Sequence, residues 1–258
     1  MRRCYESWGV LNPDWEITLL DQTNLTEFMD LTPITAKQPL MEKAALSDII
    51  RANLLAQHGG VWVDATCYCR APLDSWLPSV TKSGFFAFSR PVKQSLVAVW
   101  FMAVSQGNPL MESWAQQAES YVLNNPGLAQ RPKTRRWFKW FDRNVSTTRY
   151  WFAYPLRRVF RVYPYYWFMY LLAKVVREDP ASRMVWQQVP KIEPPNPGRL
   201  HKNQLLTPVT EKLKEEIEDG DAPVYKLTWR YDPLKYSEAS VLAYILARPL
   251  RTAETTSP

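Results

Sequence analysis

The alternation of apolar and polar positions along the chain predicts helices and strands in turn. From Glu42 to Gln57, the residues Ala45, Leu46, Ile49, Ile50, Leu54 and Leu55 recur at spacings of three and four, which predicts an amphipathic helix. Gly59 follows His58 as a left-handed cap. "VWVDATCYC", from Val61 to Cys69, then reads as one strand. Val61, Val63 and Ala65 face one way on it, and Trp62, Asp64 and Thr66 the other. Gly84 to Phe88 predicts a second strand. The stretch from Gln94 predicts a strand or helix, a turn at Gly107-Asn108-Pro109 and a helix to about Leu123. Upstream, a short helix, a turn at Asn12-Pro13 and a strand from Trp15 to Leu20 are expected, then turn residues Asp21 and Asn24 and a loop with a short helix to Leu40. Downstream come a buried helix from Tyr165 to Asp179, a proline-rich loop carrying His201, a solvent-facing charged helix from Thr210 and a strand from Val224 to Trp229. No internal repeat is visible, and the alternation of element types argues for an α/β domain.

Composition narrows the class. With 258 residues the chain is long enough for one large α/β domain with a real core. Aromatics make up 14%, with twelve Trp, which fits either a large aromatic core or contact with sugars, membranes or other ring-binding partners. Cys67 and Cys69 stand two apart on a strand, so they share a face and are poorly placed to bridge. Three cysteines make no disulfide framework, which points to a reducing compartment. The C-Y-C spacing, with only His58 and His201 besides, argues against zinc. The first residues lack the apolar region of a signal peptide. The nearest approach to a membrane span, Tyr165 to Val176, is interrupted by Lys174. A cytoplasmic protein is expected, with peripheral membrane contact.

That contact comes from the distribution of charge. The net charge is +7, and the basic excess concentrates between Arg131 and Arg161, where Asp142 is the single acid. Arg135, Arg136 and Lys139 alternate there with Trp137, Phe138, Trp140 and Phe141. Three readings are open: a solvated positive face, a surface for anionic lipid or an acceptor, and a nucleic-acid groove. No recognised nucleic-acid motif supports the third.

Candidate chemistry lies in the central segment. Asp48 and Arg51, three apart, share a helix face, either as an ordinary ion pair or as ligand contacts. Asp64 interrupts an apolar run near the carboxyl end of its strand, where open α/β sheets bind ligands. It is either a partnered structural acid or a ligand contact. Gly59-Gly60 before it would let another backbone approach closely.

"SDIIRANLLAQHGGVWVDAT", Ser47 to Thr66, resembles the signature of the capsular polysaccharide synthesis family, GT-A-type glycosyltransferases related to the DxD-containing sugar-transfer family. "NPDWEITLLDQTNLTEF", the helix from Tyr165 and "VYKLTW" resemble flanking parts, so the likeness extends over about three-quarters of the chain. It implies that Asp48 and Arg51 contact the donor sugar and diphosphate, with Gly60 in the same donor-binding loop, and that Trp62 lies against the nucleotide or sugar. Asp64 would bind sugar or ribose hydroxyls and, with Arg51, serve catalysis. The second acid of a D-x-D motif holds Mn²⁺ or Mg²⁺. Here Thr66 stands in its place, so either Asp64 with phosphates and waters holds the metal or cations such as Arg51 replace it.

The resemblance also implies a GT-A-like nucleotide-sugar-binding fold that lacks its first strand, either because coding sequence precedes Met1 or because the copy is degenerate. Residues 1–125 would form the donor-binding core, 126–161 a basic-aromatic helical insertion, 162–230 the rest of the catalytic domain, and 231–258 a partly disordered tail. The expected activity is hexosyl transfer, retaining by analogy with D-x-D relatives, from a nucleotide-sugar to a polysaccharide or lipid-linked acceptor. A degenerate sugar-binding or scaffold protein is the alternative. His201 is either an aid at the diphosphate or a surface histidine.

Overall fold

The structure is a computed structural model. It describes the chain except residues 40, 90–91, 126–128, 131–137, 195–199, 201–204, 219–221, 229, 231 and 248–258, with backbone alone at 129, 130 and 233. Arg135, Arg136, His201 and the end of the tail therefore lie outside the described residues. In chain order the elements are α1 (Arg2–Leu11), α2 (Leu25–Phe28), α3 (Thr32–Lys37), α4 (Lys43–His58), β1 (Gly60–Val63), β2 (Cys67–Cys69), α5 (Leu77–Val80), β3 (Phe85–Ser89), β4 (Val97–Val104) and α6 (Pro109–Leu123). There follow β5 (Ala129–Gln130), β6 (Val162–Tyr163), α7 (Trp167–Glu178), α8 (Pro180–Gln188), α9 (Glu211–Glu218), β7 (Val224–Lys226) and α10 (Val241–Ala247). The mixture of helix and sheet is compatible with an α/β class.

Packing separates two compact units, one of residues 1–19, 63–79 and 195–258, the other of 20–62 and 80–194. The second holds a three-stranded sheet in the order β1-β4-β3, with β3 and β4 antiparallel. Ile49, Ala52 and Leu55 of α4 join Phe85, Met102, Trp114 of α6 and Phe168 of α7 in its core. Trp114 stacks on Phe168 at 4.1 Å and donates its indole N–H to the Phe168 carbonyl at 3.0 Å. Trp114, Trp151 and Trp167 are fully or almost fully buried, so much of the aromatic surplus is core. Gly59 turns out of α4 at φ 70° and ψ −151°, a positive φ but not the left-handed helical cap expected. A Cβ there would stand 2.7 Å from the Gln106 backbone nitrogen, so the close backbone approach expected of Gly59-Gly60 is met at Gly59, whereas a Cβ at Gly60 would meet nothing within 4 Å.

In the first unit, β2 pairs antiparallel with β7, setting Cys67 opposite Lys226 and Tyr68 opposite Tyr225. Side chains of α1 fasten this ribbon. Trp8 donates to the Cys67 carbonyl at 3.1 Å, and the Ser7 hydroxyl accepts from the Cys69 N–H at 2.9 Å. Tyr68, Tyr225, Ile217 of α9 and Val241 and Ile245 of α10 complete the core.

Several expectations need correction. The single strand from Val61 to Cys69 breaks at Asp64, whose carbonyl accepts from the Cys67 N–H at 2.8 Å in a turn. β1 and β2 then join different sheets, so the alternation of faces does not carry through. Trp15 to Leu20 forms no strand; Trp15 reaches Asp74, and Leu19 is more than half exposed. The charged helix α9 is not wholly solvent-facing, because it buries Ile217 completely. The helix expected to end near Pro180 is followed at once by α8, whose first N–H groups are capped by the Asp179 carboxylate. Within residues 231–258, Val241–Ala247 is helical and buries four side chains.

Asp142, the one acid of the basic stretch, is structural. One carboxylate oxygen accepts from the Trp151 indole at 2.9 Å and the Tyr170 hydroxyl at 3.1 Å. Both donors belong to fully buried residues. Asp142→Ala should therefore lower unfolding free energy by roughly 2–4 kcal/mol, since an unmet buried donor costs about 1–3 kcal/mol. Urea denaturation measures this, and a loss under about 1 kcal/mol would contradict it.

Candidate functional site

The predicted site residues fall into two side-chain groups, one in each unit. In the second unit, α4 places Asp48 and Arg51 on one face. The Arg51 side chain is only 8% exposed. A guanidinium in such surroundings must be hydrogen-bonded. Its Nη1 donates to the Val99 carbonyl of β4 at 2.6 Å, its Nε to the Ser47 carbonyl at 3.1 Å, and its Nη2 to the Ser47 hydroxyl at 2.8 Å. The Asp48 carboxylate lies 3.5 Å from Nε, and the guanidinium carbon stands 5.2 Å from the Trp62 ring centroid. Trp62 is half-buried against the core of this unit. Arg51 thus ties α4 to β4 and supports Trp62, a structural use of the charge that the spacing of Asp48 and Arg51 did not reveal.

In the first unit, Asp64 and Thr66 flank the turn into β2. The Asp64 side chain is 28% exposed, so the carboxylate is partnered without being sealed in the core. Its partner is Lys226 at the end of β7. The ammonium donates to Asp64 Oδ2 at 2.7 Å and to Thr66 Oγ1 at 2.8 Å. Leu227 N–H donates to the Thr66 carbonyl at 2.9 Å and fixes the backbone beside it. Lys226 escaped the reading of the sequence. The signal was present: a cation inside "VYKLTW", as anomalous among apolar residues as Asp64 is in its own run.

The described residues around the D-A-T turn do not make up a ligand set for a divalent ion held by the protein alone. Asp64 is the one carboxylate of the D-A-T turn, and the ammonium takes the place between it and Thr66. Among the described residues, no group of three His, Cys, Asp or Glu side chains could hold a metal. Burial pushes the Cys67 thiol well above its ordinary value, against the lowering field of Lys226. Burial likewise pushes Cys69 up to about 12. Both thiols stay protonated near neutrality and offer no thiolate ligand or nucleophile.

Elsewhere in the second unit, a cavity of about 360 Å³ is lined by Arg149, Arg177, Arg183 and Trp186 among others; none of the predicted donor-binding residues lines it. Of the basic-aromatic surface, Lys139 is described and exposed. Around it the segment is divided: Trp151 and Leu156 form a small core with Phe138 and Phe141, while Trp140, Tyr154, Val159 and Phe160 are half or more exposed.

Residues 1–130 match the model of a family described as "Capsular polysaccharide synthesis protein". The match covers half of the chain and stops short of the downstream helix and closing strand. A fungal protein of Annulohypoxylon truncatum, described as "O-glycosyltransferase braB", is 26% identical over 125 residues. That alignment covers 41% of this chain and 30% of the length of the relative. No solved structure matches the chain.

The contacts of Arg51 generate a stability prediction. Arg51→Met removes the donor of the Val99 carbonyl and leaves Asp48 without its neighbouring guanidinium. The cost should be about 3 kcal/mol, as for breaking one side of a buried ion pair. Chemical denaturation reads this directly. A loss below about 1 kcal/mol would mean that the guanidinium does not hold α4 to β4.

Proposed function

This chain belongs to the capsular polysaccharide synthesis protein family, and from that premise we propose that it is a GT-A-type glycosyltransferase. It moves a sugar from a nucleotide-sugar to a polysaccharide or lipid-linked acceptor. In the reaction the acceptor oxygen bonds to the anomeric carbon and gives up its proton. The bond from that carbon to the diphosphate breaks, and its electron pair leaves with the nucleoside diphosphate. The protein must bind the sugar hydroxyls and offset the charge that grows on the leaving group.

The observation that carries this reading is Asp64. It follows β1 directly, inside the family match, with a carboxylate that is oriented by Lys226 yet open to solvent. Such an acid can accept hydrogen bonds from sugar or ribose hydroxyls. In the proposal Trp62 offers a ring face to the donor, and Asp48 and Arg51 shape the donor-binding segment, with Arg51 acting through its hold on the backbone. Hexosyl transfer with retention is part of the proposal, and NMR of the product's anomeric proton tests it. The weak similarity to a protein described as an O-glycosyltransferase supports transfer to a hydroxyl.

The acceptor side is proposed to lie at an anionic membrane surface, reached from outside the bilayer. Among the described residues no helix is long and apolar enough to cross a membrane. Exposed Trp140, Tyr154 and Phe160 accompany exposed Lys139, Arg158 and Arg161, a pairing suited to head groups with an interfacial apolar layer.

Two measurements test these proposals. With a panel of nucleotide-sugars, wild-type protein should release nucleoside diphosphate slowly even without acceptor. Asp64→Asn should reduce that release by about a hundredfold, while the melting temperature moves only a few degrees because its ion pair is part-exposed. Retained turnover with a large loss of stability would make Asp64 structural; donor binding without any turnover in the wild type would favour the sugar-binding alternative. For the surface, the protein should co-sediment with anionic vesicles at low salt and not with neutral ones. Binding should fall when Lys139, Arg158 and Arg161 become Glu, and indifference to anionic vesicles would remove the membrane proposal.

A further inference from the structure

We propose that Lys226, held between the Asp64 carboxylate and the Thr66 hydroxyl, is the cation that meets the donor's diphosphate, in the place a divalent metal would take beside a second acid at position 66. The inference rests on the glycosyl-transfer reading above and specifies how its site handles charge.

Three observations carry it. The first is position. An ion shared by residues 64 and 66 must sit between their side chains, and the Lys226 ammonium sits there, 2.7 Å from one and 2.8 Å from the other. The second is charge balance. Two carboxylates with a divalent ion sum to zero, and so do one carboxylate and one ammonium. Thr66 in place of an acid and Lys226 in place of a metal are therefore two halves of one exchange. An acid at 66 would add a negative charge facing a diphosphate, and a dication beside the ammonium would be repelled. The third is availability. An ammonium has three N–H donors. Among the described residues, Asp64 and Thr66 account for two, and the Lys226 side chain is 24% exposed. The third donor is left for a phosphate oxygen, and the Thr66 hydroxyl, accepting from Lys226, keeps its own proton to donate.

The backbone makes this a fixed cation rather than a flexible one. Pairing of Cys67 with Lys226 and the Leu227-to-Thr66 hydrogen bond set the root of the lysine beside the turn. The order of the positive charge is thus established by folding, before any ligand arrives.

Isothermal titration with UDP and with GDP, each in EDTA and in Mn²⁺, tests the proposal. At least one nucleotide should bind the wild type in EDTA within about twofold of its affinity in Mn²⁺. Lys226→Met should weaken that binding about tenfold or more, as expected for a lost charge-assisted hydrogen bond, and Lys226→Arg should retain most of it. If the methionine variant does not fold, as its melting curve would show, the wild-type comparison in EDTA and the arginine variant decide. Binding that requires Mn²⁺, or that is indifferent to Lys226→Met in a folded protein, overturns the inference and leaves the glycosyl-transfer reading standing. No binding of either nucleotide under any condition overturns both.

Discussion

An aspartate at the end of a short strand needs a positive partner, and here that requirement is met by a lysine far along the chain. The Lys226 ammonium holds Asp64 and Thr66 together and joins the turn after β1 to β7. The antiparallel pairing of β2 with β7 makes the contact possible, and α1 secures that pairing by placing Trp8 and Ser7 on the backbone of β2. Core residues from α9 and α10 then cover the ribbon. The charged contact depends on the apolar packing: the ribbon is what fixes the root of the lysine beside the turn.

Arg51 shows the same economy in the other unit. Its guanidinium is buried, and most of its bonding goes to Ser47 and the Val99 carbonyl. Through these bonds the cation holds a helix against a strand. The two cations of the motif region therefore have different work. Arg51 shapes the segment that carries Trp62, and Lys226 keeps an open side towards solvent.

The residues that were legible in the sequence were those whose neighbours are local. The helix α4 announced itself by apolar spacing, and Asp64 by being charged within an apolar run. What could not be read was set by partners distant in sequence. Asp64-Ala65-Thr66 contains no glycine or proline, so the break between β1 and β2 follows from their joining different sheets. Lys226 lies 162 positions from Asp64, and only strand pairing brings them together. The apolar run of α10 directly precedes a polar tail, and packing in the tertiary structure buries its Val241, Leu242 and Ile245. The start of α8 was legible in principle, since Asp179-Pro180 is a cap followed by a proline in the first turn.

The most direct test of the account is a crystal structure of the protein with the nucleoside diphosphate it binds, grown in EDTA. The account predicts a phosphate oxygen at about 2.7–2.9 Å from the Lys226 ammonium, with the Asp64 carboxylate facing the ribose or sugar side. A diphosphate bound elsewhere on the chain, or held with Lys226 turned away, would contradict it.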